Sequence, residues 1–589
     1  MARFCAVLGG QTSDQLVGNM GGQAVHTTPG LSLGRLPEEC PAASGGPYFA
    51  AHGLVAVGEV SLFNRAALLT ELARHESLPP AGCPDGEVLL RFFSRYGLAG
   101  LSRVSGMFVL AVWDGRELWL IRDPVGARTL FYAQTETGWL AASSLRALRR
   151  GLAQVRLNLA AVRSFLTFAY LPGAETLLDG VHELLPGAAL KLTLDPTTGR
   201  VEGGTPQSYW QPQEQPWPPD APLDHYATHL RGLLEEATAN CLPEDESAGL
   251  FLSGGLDSSL IAALAVRLHD RPIHTYSINF GRHLPHELAY SGLVAAHCRT
   301  EHQVLTFSGQ QIADHLAETV ALLDCPVGDP LTVPNLLLAR AAAADGLRVI
   351  LNGEGGDPCF GGPKNVPMLA YEWQRTCSAP LDRARTYLRS YRKCYQELPH
   401  LLSPAVLAAL AEAPPLEQLV QPYLEATQMS HYLNRLYYAN TRLKGAHHIL
   451  TKVERLTAAC GLEGRAPLFD PAIVAYSFAI PPRFKLAGVE EKWVLKQAVA
   501  DLLPATIVYR PKSGMRVPVQ HWLAGPLKAL ANDLLFGPTA AARNLFNPHT
   551  IRAWLRDEGL LWPRHGANLW LVLTLELWLR AYLDMETIS

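Results

Sequence analysis

The sequence predicts an α+β layered domain over residues 1–205, followed over residues 224–589 by an α/β domain with a parallel sheet and a helical C-terminal part. Three observations predict this order. Short runs of β-patterned residues fill the first part, strands then alternate with helices up to about residue 351, and helical patterns dominate after Tyr371. A segment rich in proline, glutamine and tryptophan over residues 206–223 indicates an extended linker.

The N-terminal domain is predicted from apolar runs with the two-residue period of strands. Strands are expected at Phe4–Leu8, Leu54–Val57, Met107–Trp113, Leu118–Ile121, Thr129–Ala133 and Leu190–Leu194, and helices at Arg65–His75 and Glu87–Tyr96. Runs of strands with a few helices between them are typical of stacked layers.

The C-terminal domain is predicted from alternating strands and helices. Strands are expected at Leu250–Leu252, Ile273–Asn279, His302–Leu305 and Arg348–Leu351, and helices at Ser258–Leu268, Glu287–His297, Gln310–Leu323, Pro334–Asp345 and, at the end of the chain, Ala567–Leu583. This alternation is the repeat of a parallel sheet, in which ligands bind beyond the carboxyl ends of the strands.

Composition excludes several classes of function. No run of 18 apolar residues exists, so neither a membrane span nor a membrane partner is expected. The net charge of −4, without a long basic block, disfavours a nucleic-acid partner. The ten cysteines lack metal-ligand spacing, which indicates reduced thiols, and the N-terminus lacks a secretory signal pattern. We therefore expect a cytoplasmic protein.

A small polar loop follows the strand at Leu250–Leu252 and opens a helix. Its residues are Ser253, Gly254, Gly255, Leu256, Asp257, Ser258 and Ser259. The two glycines let backbone N–H groups approach phosphate oxygens, the serines add hydroxyl donors, and the helix directs its positive end at an anion. Asp257 suits a Mg²⁺ ligand beside the phosphates. The loop therefore predicts binding of ATP and cleavage between its α and β phosphates.

A second glycine-rich turn follows the strand that ends at Leu351. Its residues are Asn352, Gly353, Glu354, Gly355, Gly356 and Asp357. Because both loops follow strands of one predicted parallel sheet, we expect them at the same sheet edge. Glu354 and Asp357 are then candidates for metal coordination and for contact with the reacting carboxylate or amine.

These two loops resemble the synthetase domain of the asparagine synthetase family, which has an ATP-pyrophosphatase fold. Further motifs keep the family's order at Asp324–Pro330, Lys452–Arg455, Leu462–Asp470, Glu491–Lys496 and Arg510–Gly514. The resemblance covers nearly all of residues 225–525. In that family a carboxylate attacks the α-phosphorus of ATP, which gives an acyl-adenylate and pyrophosphate, and an amine or ammonia then displaces AMP.

The resemblance also implies roles for single residues. The residues implied to cradle pyrophosphate are Ser253, Gly254, Gly255, Leu256, Asp257, Ser258, Ser259, Gly353 and Gly355. Asp257 and Asp357 are implied to hold Mg²⁺, and the expected cofactors are therefore ATP and Mg²⁺. Glu354 is implied to lie at the acyl centre, and Lys512 to face the negative charge that develops there.

Residues 1–200 resemble the glutaminase domain of the same family, a type 2 glutamine amidotransferase with an Ntn-hydrolase-like sandwich. The motifs that carry this resemblance are Gly58-Glu59, Phe63-Asn64, Asp85–Glu87, Phe108–Asp114 and Arg122–Gly126. Asp85 keeps the position implied to bind the amine of glutamine. The resemblance would make the domain a source of ammonia.

Two departures predict that this domain is catalytically inactive. The family uses an N-terminal cysteine whose own α-amine is the base, but here residue 2 is alanine, and Cys5 would need four residues removed. Val57 stands where the family has an asparagine that donates to the oxyanion, and loss of such a donor costs about 10²–10³ in rate. No convincing arginine for the glutamine carboxylate precedes Val57, so Gly58, Glu59 and Asp85 are predicted to be remnants of a degenerate site.

Family members with degenerate glutaminase domains include β-lactam synthetases and lasso peptide cyclases, which use an amine already present on the substrate. β-Lactam synthetases have tyrosine where Glu354 stands, which favours closure of a macrolactam on a peptide. The stretch Pro358–Asn365 departs from the pattern of asparagine synthetases, so the substrate need not be free aspartate. The expected partner is a small-molecule or peptide carboxylate, and a homodimer is left open.

Two alternatives stay open. One is a true asparagine synthetase, supplied with free ammonia or with glutamine through a trimmed Cys5. The other is a non-catalytic scaffold built on a decayed synthetase, against which the intact Ser253–Ser259 loop, Asp357 and Lys512 argue. Other enzymes with pyrophosphatase loops share the first loop only.

Overall fold

The computed structural model of the chain describes residues 3–10, 13–37, 48–80, 82–215, 218, 221–281, 287–362, 365–374, 382–391, 393–510, 514–515, 517–556 and 565–585. Ala2 and Lys512, both used in the predictions above, lie outside these residues. Among the described residues, no helix has the length and apolarity needed to cross a bilayer.

The N-terminal domain is a sandwich of two mainly antiparallel sheets. Its elements are β1 (Phe4–Leu8), α1 (Ser13–Asn19), β2 (Gln23–Thr28), β3 (Leu31–Arg35), β4 (Tyr48–Ala51), β5 (Leu54–Leu62), α2 (Arg65–Leu72), α3 (Asp85–Leu101), β6 (Gly106–Trp113), β7 (Glu117–Arg122), β8 (Phe131–Gln134), β9 (Trp139–Ala142), α4 (Leu145–Gly151), α5 (Leu159–Phe168), β10 (Val181–Glu183), β11 (Ala188–Leu194), β12 (Val201–Gly203) and β13 (Gln207–Ser208).

The strand order within each sheet explains why this domain forms layers. One sheet runs β10-β8-β9-β1-β3-β2 and the other β12-β11-β7-β6-β5-β4, with β13 beside β11. Every second residue of β1, including Phe4 and Ala6, packs between the sheets against Val109 and Leu120. Alternating burial of apolar side chains therefore joins the two sheets face to face, and the predicted α+β layering is confirmed.

The C-terminal domain begins with a parallel sheet and ends in helices. Its elements are α6 (Leu223–Cys241), β14 (Ala248–Phe251), α7 (Leu256–Leu268), β15 (Ile273–Asn279), α8 (Leu288–Cys298), β16 (Glu301–Thr306), α9 (Gly309–Leu322), α10 (Thr332–Ala344), β17 (Val349–Asn352), α11 (Gly356–Phe360), α12 (Asn365–Gln374), α13 (Asp382–Ser390), α14 (Leu398–Leu401), α15 (Pro404–Ala409), α16 (Glu417–Leu424), α17 (Tyr432–Ala439), a π-helix (Asn440–Leu450), α18 (Thr451–Ala458), β18 (Glu463–Arg465), α19 (Pro471–Ala479), α20 (Pro482–Lys485), β19 (Leu486–Ala487), β20 (Glu490–Glu491), α21 (Trp493–Val499), α22 (Ala505–Val508), α23 (Val519–Ala524), α24 (Lys528–Phe536), α25 (Pro538–Arg543), α26 (Pro548–Leu555) and α27 (His565–Tyr582), with short 3₁₀ turns at Cys394–Gln396 and Pro467–Phe469.

The parallel sheet has the order β16-β15-β14-β17-β18, and each neighbouring pair is parallel. The strands predicted around residues 250, 276, 303 and 350 are its first four members, so the predicted α/β architecture is confirmed. Strand β18, which joins the edge beside β17, was not expected from the sequence. Helix α7 begins at Leu256, two residues earlier than predicted, and Asp257 therefore lies in its first turn.

The two domains share a hydrophobic core. Helix α5 of the N-terminal domain contributes Phe165 and Leu166 to the same buried cluster as Trp570 and Leu571 of α27. The backbone N–H of Gly328 donates to the carbonyl of Ala169 at 2.8 Å across this boundary. The two domains are therefore joined by one continuous hydrophobic core.

Candidate functional site

The serine- and glycine-rich loop between β14 and α7 is held by its own hydrogen bonds. The hydroxyls of Ser253 and Ser258 lie 3.0 Å apart, and the N–H of Gly255 donates to the Ser253 hydroxyl at 3.3 Å. Gly254 has φ +76°, and a Cβ there would lie 2.5 Å from the backbone nitrogen of Ser291. The hydroxyl of Ser259 is buried and has no hydrogen-bond partner among the described residues. The serines and glycines of the loop are thus brought together at the start of α7, as the predicted anion-binding role requires.

The second loop, Gly353–Asp357, touches the first directly. Strands β14 and β17 pair in parallel, so their carboxyl ends and the two loops lie side by side. A Cβ on Gly353 would lie 2.4 Å from Cα of Ser258, and a Cβ on Gly356 would lie 2.2 Å from a carboxylate oxygen of Asp257. Only glycine permits these approaches, and the sequence prediction that the loops meet at one sheet edge is correct.

A buried lysine joins the two aspartates that were predicted to hold Mg²⁺. Nζ of Lys492 lies 2.6 Å from Oδ2 of Asp257 and 2.5 Å from Oδ1 of Asp357, and the lysine is 5% exposed. Burial lowers the pKa of Lys492, but the charges of the two aspartates outweigh burial and raise it. The two carboxylates therefore stabilise a positive charge beside the Ser253–Ser259 loop.

Arg510 ties the first loop to the helix beside it. Its guanidinium donates to the carbonyl of Gly254 at 2.9 Å, forms an ion pair with Glu287, and lies 3.8 Å from the ring centroid of Tyr290. These contacts fix the turn at Gly254 from outside. Arg510 begins the motif that contains Lys512, which itself lies outside the described residues.

Glu354 lies at the other side of the second loop, near a buried ionic cluster. Its backbone N–H donates to Oδ1 of Asn352 at 3.0 Å. Nζ of Lys452 lies 2.5 Å from Oδ2 of Asp329. Burial lowers the pKa of Lys452, whereas the charges of Asp329 and Glu354 raise it above its usual value. The ammonium of Lys452, held by Asp329, therefore interacts electrostatically with Glu354.

Cys5 is embedded in the middle of the N-terminal sheet. It is 0% exposed, and β1 pairs at this residue with Gly34 on one side and Ala142 on the other. Its side chain faces away from the layer between the sheets, towards Val17 of α1. Burial raises the pKa of the Cys5 thiol to about 12, so a thiolate is strongly disfavoured at neutral pH.

The other predicted remnants of the glutaminase site are not brought to Cys5. Val57 is buried between the two sheets, on the face of β1 opposite to the cysteine side chain. Gly58, Glu59 and Asp85 line a cavity of about 1200 Å³ between the domains. Oδ1 of Asp85 accepts from Arg65 at 2.6 Å and Oδ2 accepts from the backbone of β5, so this carboxylate is already engaged.

A buried cluster of charged and polar side chains, called the seam below, connects the N-terminal domain to the helix that carries Lys452. Its members are Arg122, Glu183, His447 and Arg455. Glu183 lies 2.7 Å from Arg122 within its own domain and 3.1 Å from Nδ1 of His447 across the boundary. Arg455 donates to the carbonyl of Ser143. Burial raises the pKa of Glu183, but the charges of His447 and Arg122 lower it to about 2 overall. The seam is therefore ionised and hydrogen-bonded inside the protein.

Several residues that complete this site have no individual role predicted from the sequence. Lys492, Lys452 and Asp329 belong to motifs that carried the resemblance, and their order in the chain was the only signal for them. His448, which adjoins Asp329, had no signal at all. Sequence separations of more than a hundred residues divide Lys492 from both of its partners, which explains why no local pattern could join them.

Comparison with known proteins agrees with this arrangement. The family model described as asparagine synthase matches residues 229–580, and the model described as a glutamine amidotransferase domain matches residues 47–210.

Three relatives illustrate the similarity. A candidate asparagine synthetase (glutamine-hydrolyzing) of Mycobacterium tuberculosis is 28% identical over 578 residues, which cover 92% of this chain and 87% of that protein. Asparagine synthetase (glutamine-hydrolyzing) 1 of Bacillus subtilis is 24% identical over 520 residues, covering 84% and 80%. Amidase chyE of Penicillium rubens is 23% identical over 523 residues, covering 77% and 76%.

Proposed function

This chain belongs to the asparagine synthase family and is an ATP-dependent amide ligase. We propose that it joins a substrate carboxylate to an amine, and that its own N-terminal domain does not generate this amine. The observation that carries the proposal is the contrast between the two domains. The loops of the parallel sheet interlock around Asp257, whereas Cys5 is sealed within β1. A non-catalytic scaffold has no support from this arrangement.

The first half of the proposed reaction uses the two loops. The substrate carboxylate attacks the α-phosphorus of ATP, the bond to the β-phosphate breaks, and pyrophosphate leaves as an anion. The hydroxyls of Ser253 and Ser258 and the N–H groups at the start of α7 would bind that anion, because they converge at the strand end. Arg510 keeps Gly254 in the turn that this requires.

Mg²⁺ fits the carboxylates of Asp257 and Asp357, because both already face one positive charge on Lys492. When bound there, the ion neutralises charge on the phosphates of ATP. Lys492 would then be free to pair with a phosphate oxygen of pyrophosphate.

The second half of the proposed reaction forms the amide. Glu354 would lie beside the acyl group, and we assign Lys512 to the negative charge that develops on the acyl oxygen when the amine attacks. The lysine assignment comes from its position in the Arg-Pro-Lys-Ser-Gly motif. Lys452, held by Asp329, supplies a second fixed positive charge on the Glu354 side.

We further propose that the attacking amine belongs to the substrate itself, as in closure of a lasso peptide macrolactam. Support comes from the buried Cys5 and from Val57, which offers no donor for an oxyanion. The alternative is synthesis of asparagine from aspartate and free ammonia, which Glu354 and the similarity to asparagine synthetases favour.

One assay separates these proposals. AMP and pyrophosphate release is measured with ATP and Mg²⁺, first with L-aspartate plus ammonia or glutamine, then with peptides that bear an Asp or Glu side chain and a free N-terminus. Turnover with a peptide alone supports the cyclase, and asparagine made only with ammonia supports the alternative. Asparagine formed from glutamine would contradict the inactive glutaminase domain. Asp257→Ala should abolish adenylation, and absence of turnover with every acid would reject the proposal.

A further inference from the structure

Three lysines and a histidine converge on Asp329. Nζ of Lys452 lies 2.5 Å from Oδ2 of Asp329, and Nε2 of His448 lies 3.8 Å from the same oxygen. Lys444 precedes His448 by four residues on the π-helix, and the charges of Lys444 and Lys393 both act on the imidazole. Lys393, Lys444, His448 and Lys452 are called the basic cluster below. One carboxylate thus lies among four basic groups.

Packed tyrosines place Lys393 near the π-helix. Lys393 follows Tyr391 by two residues, and the hydroxyl of Tyr391 lies 2.9 Å from the hydroxyl of Tyr170. The ring of Tyr170 in turn lies 5.4 Å from the ring of His448. Both tyrosines are buried. The position of Lys393 relative to the imidazole is therefore set by side chains that are themselves held in place.

Three of the four groups in the basic cluster have no acceptor. Of the residues that the structure describes, none forms an ion pair or a hydrogen bond with the half-buried ammonium of Lys393 or of Lys444. Nδ1 of His448 is buried and has no hydrogen-bond partner in the same part of the chain. Nε2 of this ring is too far from Asp329 for a hydrogen bond. The cluster therefore has donors that a bound anion could satisfy.

The basic cluster carries an excess of positive charge. Burial lowers the pKa of Lys393, and among the charges nearby Asp329 raises this pKa while Lys444 lowers it. Burial and the three lysines lower the pKa of His448 well below its usual value, and Asp329 opposes them. The imidazole is therefore neutral at pH 7 and has one N–H to donate. Three ammonium groups stand against the carboxylates of Asp329 and Glu354, so one positive charge is left uncompensated.

The basic cluster is connected to the second glycine-rich loop. The π-helix packs on α11, the helix that follows this loop, and the hydroxyl of Thr441 donates to the carbonyl of Pro358 at 3.2 Å. Burial lowers the pKa of Lys452, whereas the charges of Asp329 and Glu354 raise it. A ligand held by the cluster would therefore interact with the charges of the proposed acyl site.

We propose that the basic cluster binds a second carboxylate of the substrate, one that ATP does not activate, an assignment that rests on the proposed amide ligase. Lys393 and Lys444 would pair with its oxygens, and His448 would donate to it from Nδ1. Lys452 stays bound to Asp329. The substrate class is accordingly an acid with at least two carboxylates, either L-aspartate or a peptide with a free carboxylate besides the reacting one.

The first test measures binding without turnover. Thermal unfolding of the full chain is followed with succinate and with sodium chloride at equal ionic strength. Succinate should raise the Tm of wild type above its value in chloride, and the double variant Lys393→Met/Lys444→Met should bind succinate at least about tenfold more weakly, because two charge-assisted contacts are lost. Without succinate the double variant should have a Tm no lower than wild type, since it removes repulsion between like charges. Lys528→Met, at an exposed position in α24, is the matched control.

The second test measures AMP release with ATP, Mg²⁺ and ammonia. β-Alanine has the reacting carboxylate of L-aspartate but lacks the other one. The double variant should raise KM for L-aspartate at least about tenfold with kcat within about twofold of wild type, and it should leave KM for β-alanine unchanged. A pair of peptides with one and with two free carboxylates gives the same comparison for a peptide substrate.

The two tests separate the failure of the basic cluster from the failure of the ligase. If wild type releases no AMP with any acid, the proposed function fails, and succinate binding still decides the role of the cluster. If the double variant binds succinate as tightly as wild type, the carboxylate site is wrong and the ligase stands. A double variant that is less stable than wild type without succinate would also overturn the site, because the lysines would then serve the fold. If it does not fold at all, the single variants Lys393→Met and Lys444→Met decide by the same readouts.

Discussion

The ammonium of Lys492 lies 2.5 Å from the carboxylate of Asp357, and the same ammonium contacts Asp257 at 2.6 Å. Two carboxylates that converge on one site repel each other unless a positive charge lies between them. Lys492 supplies that charge from a residue with φ +61°, at the turn between β20 and α21. The site is therefore balanced in charge by the chain itself, 235 residues from Asp257 in sequence.

Substitution of Lys492 should leave the repulsion between Asp257 and Asp357 uncompensated. We expect Lys492→Met to lower the free energy of unfolding by about 3–5 kcal/mol, because one partner of a buried ion pair is lost. Added Mg²⁺ should restore more stability to the variant than to wild type, since it replaces the missing charge. Urea unfolding with and without Mg²⁺ measures both effects. Lys191→Met breaks a partly exposed pair with Glu117 and should change stability much less; equal stability of the Lys492 variant and wild type would refute the prediction.

The contact between the two loops makes Gly353 intolerant of a side chain. A methyl group there would meet Cα of Ser258 at 2.4 Å, so Gly353→Ala must push the loops apart and should abolish ATP binding, measured by calorimetry. Gly232→Ala is the matched control, because nothing lies within 4 Å of its Cβ position in the middle of α6, and it should stabilise the protein by about 1 kcal/mol. Unchanged ATP affinity in Gly353→Ala would show that the loops do not interlock as described.

The burial of Cys5 predicts that its thiol does no chemistry. Cys5→Ala should leave amide formation from ammonia or from a peptide amine unchanged, and glutamate release from glutamine should equal the background in both proteins. Wild-type protein that releases glutamate and loses this activity on substitution would contradict the prediction. Far-UV circular dichroism confirms that the variant is folded.

The seam at Glu183 predicts sensitivity to acid. The pKa of Glu183 falls from 4.5 to about 2 on folding, so its ionised form stabilises the protein above pH 4.5, and this stabilisation is lost as pH falls towards 2. The loss amounts to about 3 kcal/mol. Glu183→Gln should be less stable at pH 7 but should show a shallower fall in the free energy of unfolding below pH 4.5. Glu136→Gln, on the surface, should keep the wild-type slope; identical slopes for all three proteins would contradict this account.

The sequence predicts the scaffold of the site because its signals are local. Strand Ile273–Asn279 is confirmed residue for residue, and the loops after β14 and β17 lie side by side because parallel strands end at one edge. The periodicity of apolar residues and the local composition are enough to predict such elements.

The features of the site that the sequence does not predict depend on contacts between segments that are distant in the chain. The role of Lys492 comes from the turn that aims it at Asp257, and that turn is set by the β19–β20 hairpin. The π-helix at Asn440–Leu450 has no local signature and forms where α17 runs into α18. The sequence also cannot tell which face of β1 carries Cys5, because either set of alternating residues is apolar enough to be buried. Tertiary packing decides each case.

The seam around Arg455 and His447 limits how this protein could be shortened. A chain without its first 205 residues would present to water the guanidinium that binds the Ser143 carbonyl, the imidazole that binds Glu183, and the apolar side of α27 that packs on Phe165. Such a fragment should aggregate or lose the orientation of the π-helix. We therefore expect descendants of this gene to change the N-terminal domain by substitution and to keep its full length, even where they obtain no nitrogen from it.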